Sequence, residues 1–363
     1  MPSFPTQPSE VTVGWLTEVL HAPVSGFTST PVGEGVGMLG VIARLQLQYV
    51  GDRGAAPTSV VVKCATNVDA NRAVAMGFRV YEREVQFYQG LAQQIGEGVP
   101  TCHFAEIDAT TGDFILVLED FTGFRAGDQV EGCGIADAVA GIDVMARLHA
   151  TFWDAPTRPE LDWVLRDFRV DGEVHRPAIS GGFNVGWDPC ISLFGSHMAP
   201  ELIAAGPTFS ANAEALHHRM GEGVQTLIHG DFRLDNLLFG VNPEQPPMVL
   251  LDWQGMLVSK GTQDLAYLLS QNLRTPERRE HERALVNHYH ARLVDAGVTG
   301  YSAAEAWDDY RLAVLYLFTY AVVIGGTLDP SNERGQKFMA QLIERSSAAV
   351  MDLDLLSIVD VRR

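Results

Sequence analysis

The sequence predicts an α+β fold, in which a small N-terminal domain with an antiparallel sheet precedes a larger, mainly helical C-terminal domain. Two observations lead to this prediction. Short runs of β-branched or alternating apolar residues, separated by glycine-rich turns, recur within the first 119 residues. From about residue 132 onward, apolar residues recur mainly at the spacing of helices. We therefore expect an N-terminal domain over 1–119 and a C-terminal domain over 120–363.

The composition is that of a globular protein with an excess of acidic groups. The chain has 363 residues, 46% hydrophobic and 20% charged, which is enough for two packed domains. Its formal net charge of -19 argues against a nucleic-acid partner, which would need a basic surface, and is compatible with a cationic substrate. The four cysteines lack metal-ligand spacing and the N-terminus lacks an apolar signal segment. We therefore expect free thiols and a cytoplasmic protein. No oligomeric state is predicted.

The N-terminal domain is predicted to begin with an amphipathic helix over 9–21 and to continue with a glycine-rich segment. Gly35, Gly37 and Gly40 match G-x-G-x-x-G, a pattern of both dinucleotide folds and kinase phosphate loops. The residues that follow alternate as in a half-buried strand, whereas a dinucleotide fingerprint opens a helix. We therefore predict a hairpin whose bare backbone can approach phosphates. An ordinary glycine-rich turn is the alternative.

The third predicted strand covers 60–63 and ends on Lys63. A lysine that closes a β-branched run is costly to bury without a partner. A helix predicted over 74–95 offers two candidates, Glu82 and Glu84. A second hairpin, over 104–108 and 114–118, completes the domain.

The C-terminal domain is predicted to contain helices over 132–154, 191–204, 209–225, 276–297, 303–324 and 334–352. His149 lies on an apolar helix face and is predicted to be a core histidine with a satisfied hydrogen bond. Residues 155–190 are predicted to form an irregular insertion that either lines an acceptor pocket or only packs. The apolar stretch 312–328 is predicted to be a buried core helix ended by Gly325 and Gly326, not a membrane span.

The motif with the clearest chemistry begins at residue 227. An apolar approach leads to Asp231, Asn236 follows five residues later, and a second apolar strand ends on Asp252. Enzymes of phosphoryl transfer use this order and spacing. One carboxylate accepts the proton of the attacking hydroxyl, while an amide oxygen and a second carboxylate hold magnesium. Polar residues that follow strands by chance are the alternative.

Three segments carry a resemblance to a known family: HGDFRLDN at 229–236, LDWQ at 251–254 and GTQDLAYLL at 261–269. They resemble the aminoglycoside phosphotransferase and choline kinase group, and within it the ecdysteroid-kinase-like branch. The resemblance implies a protein-kinase-like two-lobe fold, ATP and Mg2+ as cofactors, and transfer to a hydroxyl. It also implies that Asp264 caps or orients the catalytic loop, a plain helix N-terminal acid being the alternative. One position differs from the family pattern: the branch usually carries Trp where this chain has Arg233.

The resemblance also implies a role for each matching residue. Asp231 would be the general base, and Arg233 would offset charge on the transferred group. Asn236 and Asp252 would hold magnesium. The nucleotide would be bound by Gly35, Gly37, Gly40, Lys63, Glu84 (within the local pattern EREVQFY) and the backbone of Glu119 and Phe121 at the interlobe hinge.

The predicted function is an ATP- and magnesium-dependent kinase that phosphorylates a hydroxyl of a small molecule. Apolar and aromatic residues within 152–194 and 307–328 favour a lipophilic or acyl-type alcohol as the acceptor. Two alternatives stay open. An aminoglycoside-type antibiotic phosphotransferase would have an acidic acceptor pocket, and a nucleotide-binding pseudokinase or scaffold would release no ADP.

Overall fold

A computed structural model describes residues 4–32, 39–166, 172–327 and 333–359, without the side chains of 172–180. Packing divides the chain into two units. The first comprises Met1–Phe124 and Val249–Gly255, and the second comprises Arg125–Met248 and Met256–Arg363. The assignment of a nucleotide domain to 1–119 and an acceptor domain to 120–363 stays a prediction.

The strands are β1 (Val24–Pro31), β2 (Gly40–Tyr49), β3 (Ser59–Ala65), β4 (Cys102–Asp108), β5 (Asp113–Glu119), β6 (Arg125–Ala126), β7 (Thr226–Ile228), β8 (Leu237–Phe239), β9 (Met248–Leu250) and β10 (Leu257–Ser259). The helices are α1 (Val13–Leu20), α2 (Asp69–Gly77), α3 (Val80–Gly90), α4 (Ala92–Ile95), α5 (Ile135–Thr151), α6 (Gly172–Phe194), α7 (Pro200–Ala204), α8 (Gly206–Met220), α9 (Thr262–Tyr267), α10 (Thr275–Asp295), α11 (Ala303–Thr327) and α12 (Glu333–Asp352). A π-helical turn, Leu268–Asn272, follows α9.

The first unit contains a five-stranded sheet in the order β1-β2-β3-β5-β4, and every neighbouring pair is antiparallel. Leu45 and Leu47 of β2 point into the core, while Gln46 and Gln48 are exposed. This alternation follows from the two-residue period of a strand. The predicted antiparallel sheet is therefore confirmed. Lys63 lies on β3, the central strand.

The prediction of one continuous helix over 74–95 is wrong, because α2, α3 and α4 share this part of the chain. α2 ends at Gly77, and Arg79 then adopts the left-handed conformation with φ 53°. A residue in this conformation cannot continue a right-handed helix. The chain therefore turns before α3 begins, and α3 buries Glu84 and Phe87.

The prediction of an irregular insertion over 155–190 is wrong from residue 172 onward, because α6 is a 23-residue helix that begins at Gly172. Its glycines allow close packing against α11 rather than turns. A Cβ atom on Gly326 would lie 1.9 Å from the carbonyl oxygen of Gly186, and a Cβ on Gly186 would lie 3.0 Å from that of Val322. Only a residue without a side chain lets two helix backbones approach this closely.

α11 is a core helix, as predicted, although Gly325 and Gly326 do not end it. The helix continues through both glycines to Thr327. It is long and apolar enough to cross a membrane, but 67% of its apolar window is buried inside the protein. Its Phe318 packs 5.1 Å from the ring of Phe209, which packs 6.1 Å from that of Phe183. These buried rings pack on one another, so they form core.

Candidate active site

A buried ion-pair cluster lies within the first unit. Lys63 Nζ is 2.8 Å from Oε1 of Glu84 and 3.0 Å from Oδ1 of Asp252. Lys63 and Glu84 are almost fully buried, whereas the Asp252 side chain is 35% exposed. Burial alone would lower the pKa of Lys63, but the negative charges of Asp252 and Glu84 outweigh burial and raise that pKa above its usual value. Lys63 is therefore protonated at neutral pH.

Asp252 is held in place by the residues next to it. Its backbone is in the left-handed region, with φ 64°, which costs a non-glycine residue about 1–3 kcal/mol. Trp253 stacks on Phe87 of α3, with ring centroids 3.8 Å apart and an interplanar angle of 12°. The Leu250 amide donates to the Gly98 carbonyl at 2.8 Å. The ring stacking holds the segment against the helix that carries Glu84, and the backbone hydrogen bond holds it to Gly98. The strained backbone is therefore supported on both sides.

The catalytic-loop candidates lie together in the second unit. Asn236 Nδ2 donates to Oδ2 of Asp231 and to the Asp231 carbonyl, both at 3.0 Å. Arg233 Nε lies 3.3 Å from the same Oδ2. The Asp231 side chain is 34% exposed, so a small molecule can reach it. The loop thus presents a partly open carboxylate whose orientation is fixed by an amide and a guanidinium.

Two buried side chains anchor the backbone of this loop. Asp264 accepts the His229 N–H at 2.7 Å and the Gly230 N–H at 2.9 Å. Asn272 Oδ1 accepts the Leu234 N–H at 3.0 Å. Asp264 therefore orients the loop and is not a plain helix-terminal acid. Asn272 was not predicted from the sequence, because nothing in its local spacing indicates a loop contact. Asn272 is the last residue of a π-helical turn, and such turns often occur at functional sites.

His149 is a core histidine with satisfied hydrogen bonds, as predicted. Its Nε2 lies 3.2 Å from Oδ2 of Asp264, and its Nδ1 lies 2.9 Å from the hydroxyl of Tyr289. Tyr267 was also missed from sequence. Burial raises its pKa well above the usual value, and the nearby negative charge of Asp231 raises it further. Tyr267 thus adds a neutral hydroxyl beside the candidate base.

The structure describes some but not all of the other residues that were predicted to bind the nucleotide. Gly35 and Gly37 lie outside the described residues. Gly40 opens β2, where a Cβ would lie 3.2 Å from the Cys64 carbonyl oxygen and 3.5 Å from Cε of Lys63. Glu119 ends β5 and its N–H donates to the Thr101 carbonyl at 2.8 Å. The Phe121 ring packs 5.2 Å from that of Phe124. The adenine contacts of Glu119 and Phe121 stay a prediction.

The donor chemistry fits a magnesium ion that arrives with phosphates. Among the described residues, no cluster of three or more His, Cys, Asp or Glu side chains could hold a metal. Asn236 donates through Nδ2, so its Oδ1 would be the atom that holds a metal, and the Asp252 carboxylate is partly exposed. Mg2+ commonly takes one or two protein oxygens and fills its other positions with phosphate oxygens and water.

A protein-family comparison identifies the relatives of this chain. The ecdysteroid kinase-like family model matches residues 34–168 and 182–298, which is more than half of the chain. The chain belongs to the ecdysteroid kinase-like family. The predicted family is thus confirmed, and the matched ranges include every candidate site residue discussed above. A comparison with curated proteins found no match.

Solved structures share the fold. A putative aminoglycoside phosphotransferase from Ralstonia eutropha JMP134 covers 94% of this chain and 96% of its own, at 15% identity and a TM-score of 0.52. The GDP complex of aminoglycoside 2'-phosphotransferase-IIIa covers 96% of both chains, at 14% identity and a TM-score of 0.53. A microcompartment-associated aminopropanol kinase covers 97% of this chain and 99% of its own, at 14% identity and a TM-score of 0.51.

At these identities the structural similarity shows the fold alone. The predicted α+β, protein-kinase-like two-lobe fold is therefore confirmed. Membership of a kinase-like family, together with this fold, supports a small-molecule phosphotransferase.

Proposed function

We propose that this protein is an ATP- and magnesium-dependent kinase that transfers the γ-phosphoryl group to a hydroxyl of a small lipophilic or acyl-type alcohol. The observation that carries the proposal is the buried Lys63 ammonium between Glu84 and Asp252, at 2.8 Å and 3.0 Å. A buried cation with one buried and one partly exposed partner is poised to meet a further anion. Polyphosphate supplies such an anion.

The first unit would bind the nucleotide. Lys63 would contact its phosphates, and Glu84 would keep the ammonium in place. The glycine segment with Gly35, Gly37 and Gly40 would cover the phosphates, and the Glu119 carbonyl and Phe121 amide would meet the adenine edge. Magnesium, when bound, neutralises charge on the phosphates. Asn236 and Asp252 would be its protein ligands.

The second unit would activate the acceptor. Asp231 would accept the proton of the acceptor hydroxyl as the oxygen attacks the γ-phosphorus, and ADP would leave. The carboxylate is suited to this role because Asn236 fixes one of its oxygens while a third of the side chain stays accessible. Arg233, 3.3 Å from Oδ2 of Asp231, would offset negative charge on the transferred group.

The acceptor class rests on the family. Its description names ecdysteroids, which are lipophilic alcohols with several hydroxyl groups. The exposed apolar side chains of Val185 and Leu193 on α6 are consistent with contact to an apolar molecule. An aminoglycoside-type acceptor is the second candidate, favoured by the net charge of -19, because aminoglycosides are polycations. A pseudokinase or scaffold is the third.

A cytoplasmic location is also part of the proposal. All four cysteines are free, and burial raises the pKa of Cys64 and of Cys133 to about 12. Such thiols stay protonated and unreactive, which suits a reducing compartment.

An ADP-release screen tests the proposed function. Wild-type protein would be incubated with Mg2+, with ATP or GTP, and with polyhydroxylated sterols, hydroxyacyl thioesters, choline or aminoglycosides. Asp231→Asn serves as the blank, and mass spectrometry identifies the phosphorylated product. Acceptor-dependent ADP release with a sterol or hydroxyacyl thioester supports the lipophilic acceptor. Release with aminoglycosides alone would favour the second candidate, and nucleotide binding without any release would favour a pseudokinase.

A further inference from the structure

A buried chain of polar side chains links α10 to the backbone of the catalytic loop. The Tyr289 hydroxyl lies 2.9 Å from Nδ1 of His149, and Nε2 of His149 lies 3.2 Å from Oδ2 of Asp264. Asp264 in turn accepts the N–H groups of His229 and Gly230, the two residues before Asp231. Tyr289, His149 and Asp264 are fully buried. These three buried side chains therefore connect a helix remote in sequence to the backbone directly before the candidate base.

The direction of each hydrogen bond follows from the acceptor at the end of the chain. Asp264 accepts hydrogen bonds from two backbone N–H groups, and such bonds stabilise the ionised form of a carboxyl group. An ionised carboxylate has no proton to give, so the contact with His149 requires hydrogen on Nε2. In a neutral imidazole the other nitrogen, Nδ1, is then an acceptor. With the ring in this neutral form, the hydroxyl of Tyr289 donates to Nδ1.

We propose that Tyr289 is a positioning residue for phosphoryl transfer: by donating to Nδ1 it keeps His149 in the Nε2–H form that orients Asp264, and Asp264 orients the loop that carries Asp231. This inference rests on the proposed function. It identifies a fully buried residue that acts through two others.

Gly261 provides independent geometric support. A Cβ atom at this position would lie 2.3 Å from the Tyr289 hydroxyl and 2.9 Å from Nδ1 of His149. Its backbone φ of -57° is open to any residue, so the requirement for glycine comes from space. The glycine that begins the GTQD segment thus leaves room for the hydrogen bond between Tyr289 and His149.

The hydroxyl also keeps the proton that it must donate. Burial raises the pKa of Tyr289 well above its usual value, and the negative charges of Asp264 and Asp309 add to the rise. Asp309 has partners of its own, Lys260 at 2.8 Å and the Tyr301 hydroxyl at 3.1 Å. The nearest ring nitrogen, on His149, is therefore the acceptor that the structure offers to Tyr289.

The kinetic test compares Tyr289→Phe with a matched control. Tyr310→Phe also removes a buried tyrosine hydroxyl, which donates to Glu282 of α10 at 2.6 Å. Tyr310 does not belong to the row of side chains that leads to the catalytic loop. We expect Tyr289→Phe to lower kcat about tenfold, the scale of a slightly misplaced catalytic group, with KM for nucleotide and acceptor nearly unchanged. Tyr310→Phe should lose comparable thermal stability and keep its kcat. Equal kcat in the two variants would overturn the proposal.

A spectroscopic test does not depend on turnover. In full-length protein labelled with 15N-histidine, His149 is assigned by loss of its signals in His149→Gln. We expect a neutral ring protonated at Nε2, and a change in the Nδ1 resonance in Tyr289→Phe that Tyr310→Phe does not cause. Protonation at Nδ1 in the wild type, or an unchanged Nδ1 resonance in Tyr289→Phe, would refute the hydrogen-bond assignment while leaving the proposed function intact.

A double mutant tests the link to Gly261. Gly261→Ala should displace the Tyr289 hydroxyl and lower kcat as Tyr289→Phe does. The two changes combined should lower kcat by less than the product of the single effects, since both break one contact. Multiplicative effects would contradict the shared contact. A wild-type protein that releases no ADP with any acceptor, yet shows the expected 15N signals, would refute the proposed function and with it the catalytic role of Tyr289.

Discussion

Replacing Lys63 with methionine should be among the most destabilising single changes in the first unit. Methionine matches the length of the lysine stem but carries no charge, so Glu84 would remain in the interior with no cation. Removing one partner of a buried ion pair typically costs about 3–5 kcal/mol, because the other charge stays desolvated. That is a large fraction of the roughly 5–15 kcal/mol that stabilises a typical folded protein.

The structure also predicts that the two partners respond unequally. Glu84→Gln leaves Lys63 with Asp252 at 3.0 Å, and the exposed side of Asp252 keeps this second pair hydrated. We therefore expect Glu84→Gln to cost clearly less than Lys63→Met, about 1–2 kcal/mol. The double variant, Lys63→Met with Glu84→Gln, leaves no unpaired carboxylate at position 84. It should recover most of the stability that Lys63→Met alone loses.

Urea unfolding followed by tryptophan fluorescence measures these differences, since Trp253 is buried next to the cluster and stacks on Phe87. Near-UV circular dichroism of each variant in buffer checks that the native packing is retained. A loss below about 1 kcal/mol for Lys63→Met, or additive losses in the double variant, would refute the account of Lys63 and Glu84 as a buried, mutually dependent pair.

Three further predictions address the base, the metal and acid stability. Asp231→Asn should lower turnover roughly 10²–10⁴-fold in the ADP-release assay while nucleotide affinity, measured by calorimetry, survives; collapsed affinity with unchanged turnover per bound nucleotide would contradict the base assignment. Asp252→Ala should abolish the magnesium dependence of nucleotide binding, and an unaltered magnesium titration would argue against its role as a ligand. Burial raises the pKa of Asp120, but hydrogen bonds from Arg44, Ser59 and Thr122 outweigh burial and lower this pKa below 3.8. The ionised carboxylate therefore stabilises the fold fully above that value, and this contribution is lost as the pH falls through the folded-state pKa. Urea unfolding between about pH 5 and pH 2 should therefore show a shallower acid loss for Asp120→Asn than for the wild type.

Short-range patterns in the sequence predicted much of the candidate site. The five-residue interval from Asp231 to Asn236 folds into a single loop in which the two side chains meet. Lys63 at the end of a β-branched run needed a buried partner, and Glu84 on the next buried helix provides it. In both cases a local constraint, either loop length or the cost of burying a charge, leaves few arrangements.

Features that depend on contacts remote in sequence were missed. α6 was predicted to be irregular because its glycines look like turn residues, whereas they are needed where Gly186 meets Gly326, 140 residues later in the chain. Tyr289 meets His149 from a position 140 residues away. Asp120, which directly follows β5, accepts hydrogen bonds from Arg44 of β2 and Ser59 of β3. No local periodicity encodes such pairs, because they form only when the helices and strands pack.

The division of the chain into units has a practical consequence. The first unit is discontinuous, since Val249–Gly255 joins it after more than a hundred residues of the second. A fragment ending at Phe124 would lack Asp252 and the ring that stacks on Phe87. Separate expression of the first unit, or its exchange between relatives, would need two cuts and two rejoined ends, so this unit can be inherited only together with the rest of the chain.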